Sequence, residues 1–194
     1  MNLMERAKNI LLQPKSEWPV IDTESTTVAE LYREYVIPLA AIPPLAGIIG
    51  LSVVGISVPA MMGGLYRYPL GSAVTNALIS YVLSLVAVFI VALIIEAFAS
   101  AFGGKPDRLQ ALKVSAYAST AGWVGGALMI FPVLGLFTLL ASLYGIYLLY
   151  LGLPVLMKAP QEKAAPYTAV VAVIAFIVMV AFSSVSQMFM PGMH

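Results

Sequence analysis

The chain has 194 residues, of which 61% are hydrophobic and 10% charged, with a formal net charge of +1 and no cysteine. A soluble domain usually carries about a quarter charged residues, so this composition points to an integral membrane protein, and its near-neutral charge argues against a nucleic-acid partner. Without cysteine there are no disulfides, thiolate metal sites or cysteine nucleophiles.

Residues 1–35 read as a cytoplasmic N-terminal segment. Within Asn2–Gln13, Leu3, Met4, Ala7, Ile10 and Leu11 recur at helical spacing, with Glu5, Arg6, Lys8 and Asn9 on the other face. This short amphipathic helix has two readings of equal weight: it lies in the inner membrane interface, or it packs on the protein's own cytoplasmic face. Pro14 ends it. Lys15–Glu24 reads as an irregular linker, with Trp18 as an interfacial anchor. Thr27 followed by Glu30 fits a capping box, so a helix starts there and leaves Glu30, Arg33 and Glu34 facing the cytoplasm.

Residues 36–194 read as the membrane domain. Charged residues stay out of five apolar stretches at about 36–58, 73–100, 114–131, 134–157 and 167–190, apart from Glu96 near the end of the second. Each is roughly 18–28 residues, enough for a helix to cross a hydrocarbon core of about 30 Å. A helix is required because it satisfies its own backbone hydrogen bonds where no water is available. The expected fold is an all-α, five-transmembrane-helix bundle with a short amphipathic N-terminal helix. The first apolar span starts too late, and is too long, for a usual cleaved signal peptide.

Pro38 and Pro43-Pro44 should bend the first span. Pro59–Gly71 is an outer loop holding Met61-Met62-Gly63-Gly64, with Tyr66 and Tyr68 suited to an aromatic belt. Gly103–Asp107 is a turn, and Asp107 caps the next helix with Gln110 completing the box. Only Phe131-Pro132-Val133 separates the third and fourth spans, which must form a tight antiparallel hairpin. Lys158–Pro166, with two prolines, is expected to be mobile. No internal repeat of the kind found in many transporters is visible. Lys and Arg concentrate in the N-terminal segment and the loops after the second and fourth spans, with only Arg67 on the other side. By the positive-inside rule the N-terminus is cytoplasmic and the C-terminus outside.

Small-residue ladders (Ala118, Gly122 and Gly126; Ala46 and Gly50; Ala141 and Gly145) let helices approach closely. Packing within the bundle is favoured over homo-oligomerisation. Glu96 lies only about 6 Å from the end of its span, where pairing with Lys105, Arg108 or Lys113 is favoured over a proton or cation site. Tyr144, Tyr147 and Tyr150 follow one flank of the fourth span. With Tyr117, Ser115, Ser119 and Thr120 they suggest a polar patch between helices, more often packing than ligand binding. The binding candidates are therefore Glu30, Tyr32, Glu96, Tyr117, Tyr144, Tyr147 and Tyr150. No catalytic set is visible: the one histidine is His194, the last residue, and Ser183, Ser184 and Ser186 have no general base in the membrane. One intramembrane glutamate is too few for a metal site, and no cofactor motif is present.

At Glu30-Leu31-Tyr32 and Pro38 the chain resembles the entry to the first span in the Yip family, named for interaction with Ypt/Rab GTPases. Gly103-Gly104-Lys105 followed by Ala116-Tyr117-Ala118-Ser119-Thr120 is similar to that family's inner loop and third-span entry. Tyr147-Leu148-Leu149-Tyr150-Leu151-Gly152-Leu153-Pro154 resembles the bacterial YohC-type branch. Eukaryotic members carry Asp-Leu-Tyr-Gly-Pro where this chain has Glu30-Leu31-Tyr32-Arg33-Glu34. The resemblance runs from about Ser16 to Met190 and implies five spans, a cytosolic N-terminus and, for a bacterial-style member, the inner membrane. Eukaryotic relatives are associated with vesicle formation and trafficking. The leading expectation is a non-enzymatic inner-membrane protein that organises the membrane or binds protein or lipid partners through its cytoplasmic face. The alternative is a small transporter, channel or lipid-translocating protein using a groove between spans three and four near Glu96.

Overall fold

The computed structural model describes residues 2–58 and 64–188. Seven helices carry the fold: α1 (Leu3–Leu12), α2 (Pro14–Thr23), α3 (Val28–Val54), α4 (Leu70–Ala99), α5 (Arg108–Gly125), α6 (Gly135–Leu156) and α7 (Gln161–Met188). By length and composition four of them, α3, α4, α6 and α7, can cross a membrane. The expected third span, α5, is not among these four. Its sequence explains why: close packing has selected Ala, Ser, Gly and Thr, and Arg108, Gln110 and Lys113 occupy its first turns. Low hydropathy here reflects burial among helices rather than exposure to water.

Inter-helix contacts fix the directions. Between α4 and α5, Arg108 meets Glu96, Ser115 Oγ donates to Val88 O at 2.8 Å, and Trp123 Nε1 donates to Ser84 Oγ at 3.3 Å. One number rises as the other falls, so the pair is antiparallel. Between α5 and α6, a Cβ on Gly125 would meet Ala141 Cβ at 2.3 Å, and one on Gly145 would meet Ala118 O at 2.9 Å. That pair is also antiparallel. Against α3 the numbers rise together: Tyr35 with Thr120 at 2.7 Å, Pro43 with Gly126, Gly50 with Met129. α5 is thus a central strut flanked by α3, α4 and α6, and α7 packs on α4 and α6. All three small-residue ladders are used inside this one chain, as close packing without hydrophobic drive requires.

Several expectations change. Lys15–Glu24 is the helix α2, not an irregular linker. Pro14 sits in its first turn, where its missing N–H has no partner to lose. The prolines of α3 sit at segment starts: it runs as short α segments starting near Pro38 and Pro43, with π turns at Tyr32–Val36 and Gly50–Val54. The Thr27–Glu30 capping box is formed in both directions. Asp107 caps α5 by accepting from Gln110 N at 2.9 Å, but Gln110 Nε2 donates to Asp22 instead of closing a box. α7 begins at Gln161, and Lys105 N donates to Met157 O at 2.7 Å. Most of the stretch expected to be mobile is therefore helix. After α3 the chain forms a short antiparallel hairpin, Ile56–Val58 with Gly64–Tyr66. Gly55 enters it at φ 88°, a left-handed conformation that favours glycine. Tyr66 and Tyr68 meet edge to face at 5.0 Å. Met61, Met62 and Gly63 fall outside the described residues.

Exposure divides the bundle along its length. Leu70, Val74, Leu78, Val82, Val86 and Phe89 form one exposed apolar stripe on α4. On α6 the large exposed apolar residues stop at Tyr147, and on α7 they begin at Val173. These three limits share one level. Tyr167 OH donates to Ile95 O, so six residues further on each helix Val173 stands beside Phe89. Ala118 lies on Gly145, so Ser115, which bonds Val88, stands near Tyr147. From Leu70 to Phe89, at about 1.5 Å per residue, the belt is about 28 Å tall, close to a hydrocarbon core. Beyond that level lie Glu96, Arg108, Lys113, Lys158, Glu162 and Lys163, along with the α1–α2 hairpin; this half is called the cap below.

Candidate functional site

The cap is built by fastening the N-terminal hairpin onto α5 and α6. Asn2 caps α1 by accepting from Met4 N at 3.1 Å. Leu3, Arg6, Ala7 and Ile10 form the stripe at i, i+3, i+4 and i+7, and it faces inward, with Ile10 fully buried. So α1 packs on the protein, the second of its two expected readings. Met4 and Leu12 remain 78% and 68% exposed on the outer side.

Arg6 is the feature that sequence reading misplaced. It lies on the buried stripe, 2% exposed. Its guanidinium donates to Glu17 at 2.5 Å and also to Glu24, and its Cζ sits 5.7 Å from the centre of the Tyr117 ring. A buried charge needs this degree of pairing, because removal from water costs several kcal/mol per ion. The available signal was periodicity: a charge inside an apolar i, i+3, i+4, i+7 pattern marks a buried ion pair.

Three further side chains hold the hairpin. Lys113 Nζ donates to Ile21 O at 2.9 Å and to Glu24 O at 2.6 Å, satisfying carbonyls at the open end of α2. Burial lowers the Lys113 ammonium below its ordinary range, against the opposing pull of Glu24, Asp22 and Asp107. Lys158 pairs with Asp22 at 2.5 Å, and Tyr144 OH donates to Leu11 O at 2.8 Å. Trp18 is not an interfacial anchor: it is fully buried. It lies over Gly152, where a Cβ would approach its ring to 2.7 Å, and edge-on to Tyr117 at 6.3 Å.

The binding candidates separate. Glu30 serves the capping box through Thr27 N at 2.8 Å, and Tyr32 OH donates to Leu85 O at 2.9 Å. Glu96 pairs with Arg108 at 2.9 Å in the cap. Tyr117 belongs to the Arg6–Trp18 cluster and lies 4.5 Å from the Tyr35 ring. Tyr144 meets Tyr147 at 5.5 Å, Tyr147 is exposed, and Tyr150 is half-buried. Ser115 and Thr120 turn toward α4 and α3 rather than α6. The single tyrosine–serine patch is therefore not assembled. Nor is there a groove between α5 and α6 at Gly125 and Gly145, where the helices approach closely; Glu96 lies on α4, away from that seam.

What the cap does hold is a cavity of about 570 Å³. Arg6 and Glu24 line it from the N-terminal hairpin, Tyr117 from α5, and Glu30, Glu34 and Tyr35 from α3. It brings together Glu30 and Tyr117 from the candidate set, with Arg6, Glu24, Glu34 and Tyr35 among the lining residues not singled out as candidates.

Fold and cap together define a class: an all-helical protein with apolar helices of membrane-crossing length, closed at one end by a charged helical hairpin. Residues 8–182 match the Yip1 domain family, and the chain belongs to that family. It is similar to Inner membrane protein YohC of Escherichia coli K12, at 23% identity over 168 residues covering 85% of each chain. The protein of the same name from Escherichia coli O6:H1 gives the same figures. No solved structure matches.

Proposed function

We propose that this chain is a non-enzymatic, multi-pass protein of the bacterial inner membrane. It crosses five times, and its cap stands in the cytoplasm and engages lipid or protein partners there. The observation that carries this reading is charge placement in three dimensions. Of the ten Lys and Arg and nine Asp and Glu, all but Arg67 lie on the cap side or near its boundary with the apolar belt. Basic residues in short segments favour the cytoplasmic face. The fifth crossing is supplied by α5, which runs opposite to α4 and α6 at the same depth and is screened from lipid by its neighbours. The curated relatives' inner-membrane names support the location.

The missing cysteines make the test direct. Single cysteines replacing Arg67, Lys105 or Lys163 are exposed to an impermeant maleimide in intact cells and after permeabilisation. Arg67→Cys should label in intact cells, and Lys105→Cys and Lys163→Cys only after permeabilisation. The reverse pattern overturns the orientation, and labelling of Lys105→Cys and Lys163→Cys from opposite sides, or of all three from one side, overturns the five crossings. For the partner role, Lys8→Glu with Lys15→Glu alters two exposed cap residues and should change which proteins or lipids are recovered by crosslinking from the cap. Unchanged recovery removes this face of the cap from the function.

A further inference from the structure

The N-terminal hairpin belongs to the cap, but its turn reaches down to the apolar belt. Tyr144 OH donates to Leu11 O at 2.8 Å. Tyr144 stands three residues, about 4.5 Å along the helix, inside the limit that Tyr147 sets on α6. A helical side chain leans toward the N-terminus of its own helix, which for α6 is the end remote from the cap. The Tyr144 hydroxyl is therefore no shallower than its backbone, and Leu11 O lies with it at the belt's edge. Toward its other end α1 does not climb away from this depth. Arg6 sits 5.7 Å from the centre of the Tyr117 ring, and Ala118 packs on Gly145. Tyr117 and Tyr144 thus differ in depth by about two residues, or about 3 Å. Held at two points of nearly one level, α1 lies along the edge of the belt.

The inner stripe of α1 packs on the protein, and its outer surface carries a second pattern. Met4, Lys8 and Leu12 follow one another there at four-residue intervals, and all three are exposed. An apolar, basic, apolar stripe on a helix at this depth has the make-up of one lying in a membrane interface. The lysine stem covers apolar surface while its ammonium stays among the headgroups. Two further observations name what meets this surface. Leu12 continues the lipid-facing belt: Leu140, Leu143 and Tyr147 are exposed on the same face of α6 as Tyr144. The exposed charges nearest Leu12 in sequence are Lys8 and Lys15, both basic, while the exposed acid Glu5 is a further turn away. Basic residues at the rim of a membrane attract anionic headgroups.

We propose that the outer surface of α1 is a membrane-contact surface: Met4 and Leu12 enter the hydrocarbon edge of the leaflet on the cap side, and Lys8 and Lys15 hold the headgroups of anionic phospholipids there. The proposal rests on the reading that the belt is the membrane-embedded part, and names the lipid class that the cap meets.

The test uses the full chain, which has no cysteine of its own, reconstituted in vesicles of phosphatidylcholine and phosphatidylglycerol. Single cysteines replacing Leu12, Met4, Leu78 or Lys163 carry a bimane fluorophore, all at exposed positions. Two quenchers are compared: aqueous iodide, and phospholipid tracers with a nitroxide on one acyl chain. The labels at Leu12→Cys and Met4→Cys should be quenched by the lipid nitroxide and protected from iodide, as at Leu78→Cys in the belt, and Lys163→Cys in the cap should show the reverse. The tracer with a phosphoglycerol head should quench Leu12→Cys about three- to tenfold more effectively than the phosphocholine tracer, the enrichment expected of one or two lysines at the surface. Lys8→Gln with Lys15→Gln should abolish that ratio, and salt should shrink it. Quenching of Leu12→Cys and Met4→Cys by iodide alone overturns the proposal and leaves α1 in water. Protection from both quenchers also overturns it and assigns the surface to a second copy of the chain. Equal quenching by the two heads, or a ratio unchanged in the double Gln variant, overturns the lysine pair as the headgroup site. If Leu78→Cys itself is not quenched by lipid, the belt reading falls and the proposal with it; a quenched Leu78→Cys beside an iodide-quenched Leu12→Cys sinks the proposal alone.

Discussion

Helices α4 and α5 invert the usual relation between hydropathy and burial. α4 has the highest mean hydropathy of the four membrane-length helices, 3.0, yet only 17% of its most apolar window is buried inside the protein. α5 falls short of the membrane-length, apolar class, yet most of its residues from Ala111 to Trp123 are buried. Lipid explains the inversion. The outer helix needs large apolar side chains because its solvent is hydrocarbon. The inner one gains nothing from greasiness against its neighbours and is held by close approach of small residues. Hydropathy therefore reports which helices face lipid, and small-residue content reports which helix organises the bundle.

The cap offers the hardest way to break this contrast, since it adds buried charge to buried small residues. Arg6→Met leaves Glu17, itself buried, without its partner. The expected loss is about 3–5 kcal/mol, seen as a large fall in detergent melting temperature. A loss no greater than that of an exposed substitution would show that the hairpin is not fastened through this pair.

A matched pair of truncations comes next. Leu148→Ala removes a fully buried side chain of α6 beneath the hairpin and should destabilise by about 2–5 kcal/mol. Leu78→Ala removes a side chain of α4 that is 61% exposed and should change stability by less than about 1 kcal/mol, as surface positions do. Equal effects would erase the distinction between the lipid-facing and inner surfaces.

Glycine substitutions sharpen the account of α5. Gly125→Ala places a methyl 2.3 Å from Ala141 Cβ, where neither residue has a flexible end to move, and should cost about 1–3 kcal/mol. Gly47→Ala meets nothing within 4 Å and should be neutral or stabilising by up to about 1 kcal/mol, from helix propensity alone. A thermal-shift comparison of the two variants reads the difference.

Sequence patterning carries most helix positions, α2 excepted, because apolar runs and caps are local. Thr27, Glu30 and Asp107 mark their helix starts correctly, and the Phe131–Val133 connection does join two antiparallel helices. The site was far less legible. Local patterning puts Arg6 on the polar face of α1 although the apolar stripe passes through it, and makes Trp18 an anchor although Gly152 provides its seat. Both errors share a cause. Burial in the cap is created by contacts more than ninety residues apart in sequence, such as Lys113 with Ile21 and Tyr144 with Leu11, and no local window contains them. Tyr117 was singled out for its position near a span entry, and the structure gives it a different set of neighbours from those expected.

The smallest expected effect concerns the most conspicuous residue in the sequence. Glu96 interrupts an apolar run of α4, which invites a role within the membrane. In the fold it stands on the cap side of Phe89 by about 10 Å along the helix, and pairs with Arg108, whose side chain is 61% exposed. An ion pair so open to solvent is worth only about 0–1 kcal/mol. Glu96→Gln should accordingly leave melting temperature nearly unchanged. High salt should reduce the small difference further. A loss of several kcal/mol, or a growth phenotype matching that of an Arg6 variant, would place Glu96 in a less polar setting than the cap and would move the apolar boundary toward the end of α4.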